Sequence, residues 1–185
     1  MLRAGVIGLG DMGSGLAKNL IKNGIATTGL DLSDERMSAF VEMSGTPAGS
    51  VAELGTNSDA VFVMVMNGVQ AKAVILGDDG LAAHMPKGGA VILTATIKPS
   101  EARDIGAALE GSGIHLIDSP VSGGFPGAQG GTLTMMAAAT SEVLDQYKPI
   151  MGAVSKTIHR VGTRAGDGQV MKSCLQTLIG SIFGA

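Results

Sequence analysis

Three groups of residues in this chain have the types and spacing to do chemistry. Gly8-Leu9-Gly10-Asp11-Met12-Gly13 follows an apolar run, Ala4-Gly5-Val6-Ile7, and opens a helical pattern through Leu16, Ala17, Leu20 and Ile21. In such a strand–turn–helix the first glycine permits the tight turn. The second lets the backbone approach a diphosphate, and the third allows close packing of helix on strand. Amide N–H groups at the helix N-terminus then face the phosphates, with the helix dipole behind them. Glycine spacing alone is a common turn signal, and the 29 glycines here are roughly twice the usual share of about 7%. The context adds a second signal. Residues 25–30 read as a further strand ending in Asp31, an acid placed to accept both ribose hydroxyls of an adenosine.

The second group is Lys172 and Gln176, on a helix predicted over 168–183. That helix carries an apolar stripe of Val170, Met171, Cys174, Leu175, Leu178, Ile179, Ile182 and Phe183. Lys172 and Gln176 fall one turn apart on its flank, in line with Ile179 and Phe183. A lysine beside an amide at a pocket edge suits carbonyl reduction. Hydride from a nicotinamide reaches the carbonyl carbon, and the ammonium protonates the developing alkoxide. In the oxidation direction the neutral amine is the base. Gln176 would hold the substrate or orient Lys172. From spacing alone, a surface lysine on an amphipathic helix accounts for the pattern better. The third group is the glycine- and proline-rich stretch 118–131, a long loop after a strand end, of the kind that is functional or mobile.

The elements that must position these groups alternate. After the first strand, helix and strand, 33–41 reads as a helix with Ser33 as N-cap and Asp34 and Glu35 in its first turn. An edge strand at 46–48 and a brief helix at 50–54 follow. The continuous apolar run 59–66 has the character of a central parallel strand. A helix at 69–76, a strand at 89–93, a helix at 99–109 opened by Pro99, and a strand at 114–117 continue the rhythm. Beyond the loop come a strand at 132–137, a helix at 141–150 and a short strand at 156–159. The pattern predicts an α/β, doubly wound, mostly parallel sheet that binds its ligands at the carboxyl ends of the strands.

Composition narrows the class. Hydrophobic residues make up 45% of 185, enough for one domain with a proper core, or one domain plus part of another. With 13 basic and 16 acidic residues, few aromatics and no charge run, nothing suggests nucleic acid as a partner. No apolar run approaches the roughly 20 residues that span a bilayer, so no membrane partner is expected. The lone Cys174 excludes an internal disulfide, and a strand begins too early for a signal peptide; both suit a cytoplasmic protein. His84, His115 and His159 lack metal-ligand spacing, and no metal is expected. Cys174, on the apolar stripe, reads as a buried thiol.

Three motifs resemble the β-hydroxyacid dehydrogenase family, which includes the 3-hydroxyisobutyrate, tartronate semialdehyde and 6-phosphogluconate dehydrogenase types. Gly8-Leu9-Gly10-Asp11-Met12-Gly13 with Leu16-Ala17-Lys18-Asn19-Leu20 is similar to that family's cofactor loop and helix. Asp118-Ser119-Pro120-Val121-Ser122-Gly123-Gly124, with Gly127-Ala128 and Gly131-Thr132-Leu133, resembles its substrate loop. Gly166, Gly168 and Lys172 resemble its catalytic stretch. The motifs come in family order along nearly the whole chain. The resemblance implies a Rossmann-type fold in which Ser122, Gly123 and Gly124 hold a substrate carboxylate and Lys172 exchanges the proton. It also implies that Thr96 lies near the nicotinamide, with Met64, Val65 and Met66 at the strand end beside the cofactor. The function implied is hydride transfer between NAD and a small 3-hydroxy acid or sugar acid, the alternative being a nucleotide-binding module without turnover.

The chain departs from the family in places. Gln176 stands where most members have Asn, which resembles the branch acting on four-carbon sugar acids such as threonate. Asp11 places a negative charge in the phosphate loop and must point away from the diphosphate. For the cofactor, Asp31-Leu32-Ser33-Asp34-Glu35 is acidic where a 2′-phosphate would lie, so NAD is expected over NADP, with Arg36 the one residue that could swing toward such a phosphate. Residues 1–164 are expected to be the dinucleotide domain, and 165–185 the start of a helix leading to an all-α domain absent from this chain. Self-association through that helix is expected from its apolar stripe.

Overall fold

The computed structural model describes residues 2–183, with side chains through Ile182. Phe183, the last member of the expected stripe, is the end of the final helix; its side chain, and Gly184 and Ala185, lie outside the described residues. In order the elements are β1 (Ala4–Ile7), α1 (Asp11–Lys22), β2 (Thr27–Leu30), α2 (Asp34–Glu42), β3 (Thr46–Pro47), α3 (Val51–Thr56), β4 (Ala60–Val63), α4 (Gly68–Leu76) and α5 (Leu81–His84). Then come β5 (Ala90–Leu93), α6 (Pro99–Leu109), β6 (His115–Asp118), β7 (Val121–Ser122), α7 (Gly124–Gly130), β8 (Leu133–Ala138), α8 (Ser141–Val154), β9 (Ser155–Gly162) and α9 (Asp167–Phe183).

The described strands form one sheet in the order β3-β2-β1-β4-β5-β6-β8-β7, with β9 paired to β8. The first six pair in parallel, and β9 runs parallel to β8. Only the pairs β6–β8 and β7–β8 are antiparallel. β1, β4 and β5 are buried on both faces, as a sheet covered by helices on each side requires. Alternation splits their side chains between two cores. Val6, Phe62 and Ile92 pack with α1 and α8, whereas Ile7, Val61, Val63, Val91 and Leu93 pack with α4 and α6. The carboxyl ends of β1, β2, β4, β5 and β6 therefore share one edge of the sheet.

The expected rhythm holds, and three differences have physical causes. Residues 64–66 are not strand: β4 ends at Val63, whose carbonyl accepts the N–H groups of both Thr94 and Ala95, so the ladder closes there. The stretch 118–131 is not a plain loop but contains β7 and α7. Glycine and proline there argue for irregular backbone, yet α7 packs so tightly on α1 that a Cβ at Gly15 would lie 2.6 Å from the Ala128 carbonyl carbon. Cys174 is exposed rather than buried, because the face of α9 that carries it has no neighbour among the described residues.

Candidate active site at the carboxyl edge of the sheet

The turn after β1 is built for close approach. Gly8 has φ +88°, and a Cβ there would lie 2.3 Å from the Met64 carbonyl oxygen. A Cβ at Gly13 would lie 1.7 Å from the carbonyl oxygen of Gly8, so α1 can start this near the strand only with glycine. Gly10 differs: its nearest neighbour would be the Arg36 guanidinium at 3.7 Å, leaving the space over the turn open. Gly10 caps α1 with no side-chain acceptor. No acceptor among the described residues takes the N–H groups of Gly10, Asp11, Met12 or Gly13. Unclaimed donors at a helix N-terminus, facing open space, fit a diphosphate. Leu9 is buried in the turn, Met12 is half-buried and Asp11 is exposed.

Asp31 is locked beside this turn. Its Oδ2 accepts the Leu9 N–H at 2.7 Å and its Oδ1 accepts the Ser33 N–H at 2.9 Å. Arg36 Nη1 lies 3.4 Å from Oδ2, with Arg36 half exposed and the Asp31 side chain only 8% exposed. Oδ1 keeps a lone pair for a further donor such as a ribose hydroxyl, whereas the second site on Oδ2 is taken by Arg36. Arg36 is thus already paired with Asp31 over the glycine turn.

On the other side of β1, Met64 and Val65 are half-buried and Met66 is 85% exposed just past β4. Thr96 is exposed in the turn after β5. Beyond β6, Gly123 (φ +129°) and Gly124 (φ +57°) swing the chain from β7 into α7, and Ser122 is half-buried in β7 beside Thr134. Lys172 reaches this loop from α9. Its Nζ donates to the Val121 carbonyl at 2.8 Å, next to Ser122. Burial pushes its ammonium below the usual lysine range. Gln176 lies one turn further along α9 and is exposed. So Lys172 is held against the loop of Ser122, Gly123 and Gly124, and Gln176 lies one helical turn from Lys172 with no hydrogen bond to that loop among the described residues.

The glycine turn with α1 and the 118–131 stretch are fastened to each other. Buried Asn19 on α1 donates through Nδ2 to the carbonyls of Gly15, Ala128 and Gln129. Gln129 Nε2 in turn reaches the Asp11 carbonyl and Ser14 Oγ. In the sequence Asn19 stands out only as part of a motif, and Gln169, the fully buried amide in the first turn of α9, does not stand out at all. A polar residue at that position of a helix carries no sequence sign of burial; only its three-residue offset from Lys172 could have drawn notice. Asp118 and Gln169 are hydrogen-bonded to each other. Burial raises the Asp118 carboxyl above its usual range, against hydrogen bonds from Gln169, Gly166 and Gly168 that pull it down.

Among the described residues no cluster of His, Cys, Asp or Glu could hold a metal ion, and no helix is long and apolar enough to cross a membrane. A family model for the NAD binding domain of 6-phosphogluconate dehydrogenase matches residues 3–162. An L-threonate dehydrogenase of Cupriavidus necator is 38% identical over 176 residues, 95% of this chain and 59% of that protein. A NAD-dependent L-serine dehydrogenase of Pseudomonas aeruginosa is 36% identical over 179 residues, 97% of this chain and 60% of that protein. The crystal structure of a 3-hydroxyisobutyrate dehydrogenase from Salmonella typhimurium matches with a TM-score of 0.91 at 32% identity, over 97% of this chain and 63% of that one. The chain thus spans less than two thirds of the length of these relatives. A match of that extent, on a doubly wound sheet whose first turn leaves amide donors free for a diphosphate, fixes the kinship that the motifs implied: the chain belongs to the family of the NAD-binding domain of 6-phosphogluconate dehydrogenase.

Proposed function

We propose that this chain is the dinucleotide-binding part of an NAD-dependent dehydrogenase acting on a small 3-hydroxy acid or sugar acid. The observation that carries the reading is Lys172, half-buried and held at the Val121 carbonyl beside Ser122, on the same sheet edge as the open glycine turn. The amides of residues 10–13 would hold the diphosphate and Asp31 the adenosine ribose. Met64, Val65, Met66 and Thr96 would flank the other half. A bound nicotinamide supplies or accepts the hydride. Ser122 and the Gly123 and Gly124 amides bind the substrate carboxylate. Lys172 Nζ gives a proton to the carbonyl oxygen in reduction, and as the neutral amine takes the hydroxyl proton in oxidation. Desolvation of Lys172 favours that neutral form and so suits the base.

NAD is favoured over NADP because Asp31 and the acidic segment Asp34-Glu35 oppose a 2′-phosphate, and Arg36 is already paired with Asp31. Gln176, together with the similarity to L-threonate dehydrogenases, supports a four-carbon sugar acid as substrate. We read 1–164 as the dinucleotide domain and 165–185 as the opening of a linking helix toward an all-α domain. The exposed Val170, Met171, Leu178 and Ile182 support that reading, and also self-association through α9, which a monodisperse monomer in light scattering would refute. A second reading, nucleotide binding without turnover by this length of chain, is favoured by its spanning only 59% of the L-threonate dehydrogenase. NAD-linked oxidation of threonate, 3-hydroxyisobutyrate or serine that vanishes in Lys172→Ala selects the first reading; binding of NADH with no turnover across that panel selects the second.

A further inference from the structure

Gln169 is completely buried, and its side-chain amide joins three parts of the chain. Nε2 donates to Asp118 Oδ1 at 2.9 Å and to the Ala95 carbonyl at 3.1 Å, while Oε1 accepts the Ile97 N–H at 3.1 Å. Asp118, also fully buried at the end of β6, accepts the backbone N–H groups of Gly166 at 2.8 Å and Gln169 at 3.2 Å through Oδ2. These partners fix the amide's orientation. Exchanging its oxygen and nitrogen would set oxygen against the Asp118 carboxylate and the Ala95 carbonyl, and N–H against N–H at Ile97.

The two residues that Gln169 grips, Ala95 and Ile97, bracket Thr96. Lys172 follows Gln169 by three residues on α9, less than one helical turn. In the sheet, β2 lies on one side of β1, and β4 and β5 lie on the other. With Asp31 at the end of β2 marking the adenosine side, the second half of an extended dinucleotide must run over the ends of β4 and β5, onto the Thr96 turn. We propose that Gln169, oriented by Asp118, is a positioning residue that sets the Lys172 helix against the turn receiving the nicotinamide end of the dinucleotide. This rests on the dehydrogenase reading of the same site. Its hydrogen bonds keep the hydride-bearing ring and the proton-bearing Nζ in one frame.

A residue that only stabilised the fold would weaken every ligand alike. A positioning residue at this turn acts on a ligand that reaches the turn and spares one that stops short of it. NADH reaches it; ADP-ribose, which has the diphosphate and both riboses but no nicotinamide, does not fill it. In Gln169→Met, which keeps the side-chain length and removes all three hydrogen bonds, NADH affinity of the 185-residue chain is expected to fall about tenfold while ADP-ribose affinity holds within about twofold. Asp118→Asn is expected to do the same in milder form, because its amide must face either Gln169 Nε2 or the two backbone N–H groups. An equal loss of both ligands in the two variants, or an unchanged NADH affinity, would overturn the proposal. Failure of the unaltered chain to bind either ligand would overturn the dinucleotide reading itself, and this inference with it.

Discussion

The turn after β1 and the helix α9 bring different materials to the same edge of the sheet. The turn offers backbone: amides at positions where glycine carries no Cβ, held so close that a Cβ at Gly13 would lie 1.7 Å from a carbonyl oxygen. The helix offers a side chain, Lys172, and leaves Met171, Leu178 and Ile182 in solvent along the same length. The difference follows from the chemistry each would do. Holding a diphosphate needs rigid dipoles, which backbone supplies once side chains are excluded. Exchanging a proton needs a titratable group whose neutral form is accessible, which partial burial supplies. Gly152 and Gly180 show that glycine by itself means little, since a Cβ at either would meet nothing within 4 Å.

That contrast can be broken at the side chain first, where the effect is largest. Lys172→Arg keeps a cation that does not deprotonate in proteins, so oxidation should fall about 10²- to 10⁴-fold while NADH affinity is unchanged. In the unaltered protein, burial lowers the Lys172 pKa, and in the proposed reaction the neutral amine would be the base. The oxidation rate should therefore rise with pH and level off below the range of an ordinary lysine, near about 10.4; a pH–rate profile that rises only above that value would contradict the assignment.

At the backbone the effect is next in size. Gly13→Ala should cost about 3 kcal/mol in urea unfolding and abolish NADH binding, because the overlapping atom is backbone and cannot rotate away. Asn19→Ala, which removes the α1 donor to the Ala128 and Gln129 carbonyls, should cost about 2 kcal/mol and loosen α7 from α1, read as faster amide exchange in both helices. Smallest, and of opposite sign, is Gly180→Ala on the open part of α9. It should raise stability by up to about 1 kcal/mol, since only helix propensity changes there.

The same contrast explains what could be read from the sequence. The glycine turn, α1, β2 and Asp31 follow from residue type and short spacing, because the demands of a tight turn are local. The parallel strands are legible for a similar reason: a strand covered on both faces is apolar throughout, as Ala60–Val63 is. What escaped was set by distant contacts. The helix Gly124–Gly130 forms from glycines and a proline because Asn19 and Gly15 of α1 receive it. Gln169 is buried because Asp118, Ala95 and Ile97 are there to satisfy it, and they lie between 51 and 74 residues away. Cys174 misled in the other direction, since an apolar neighbourhood in sequence implies burial only when something packs against it. Hydropathy extends the strand through Met64, Val65 and Met66, whereas the Val63 carbonyl, taken by the N–H groups of both Thr94 and Ala95, ends it earlier.

In the proposed complex the free amides after β1 grip a diphosphate while Asp31 selects an unphosphorylated ribose. Calorimetric titration of the 185-residue chain with NADH and with NADPH tests it most directly. One saturable site for NADH is expected, with NADPH at least about tenfold weaker. Absence of heat with both nucleotides, or tighter binding of NADPH, would contradict it.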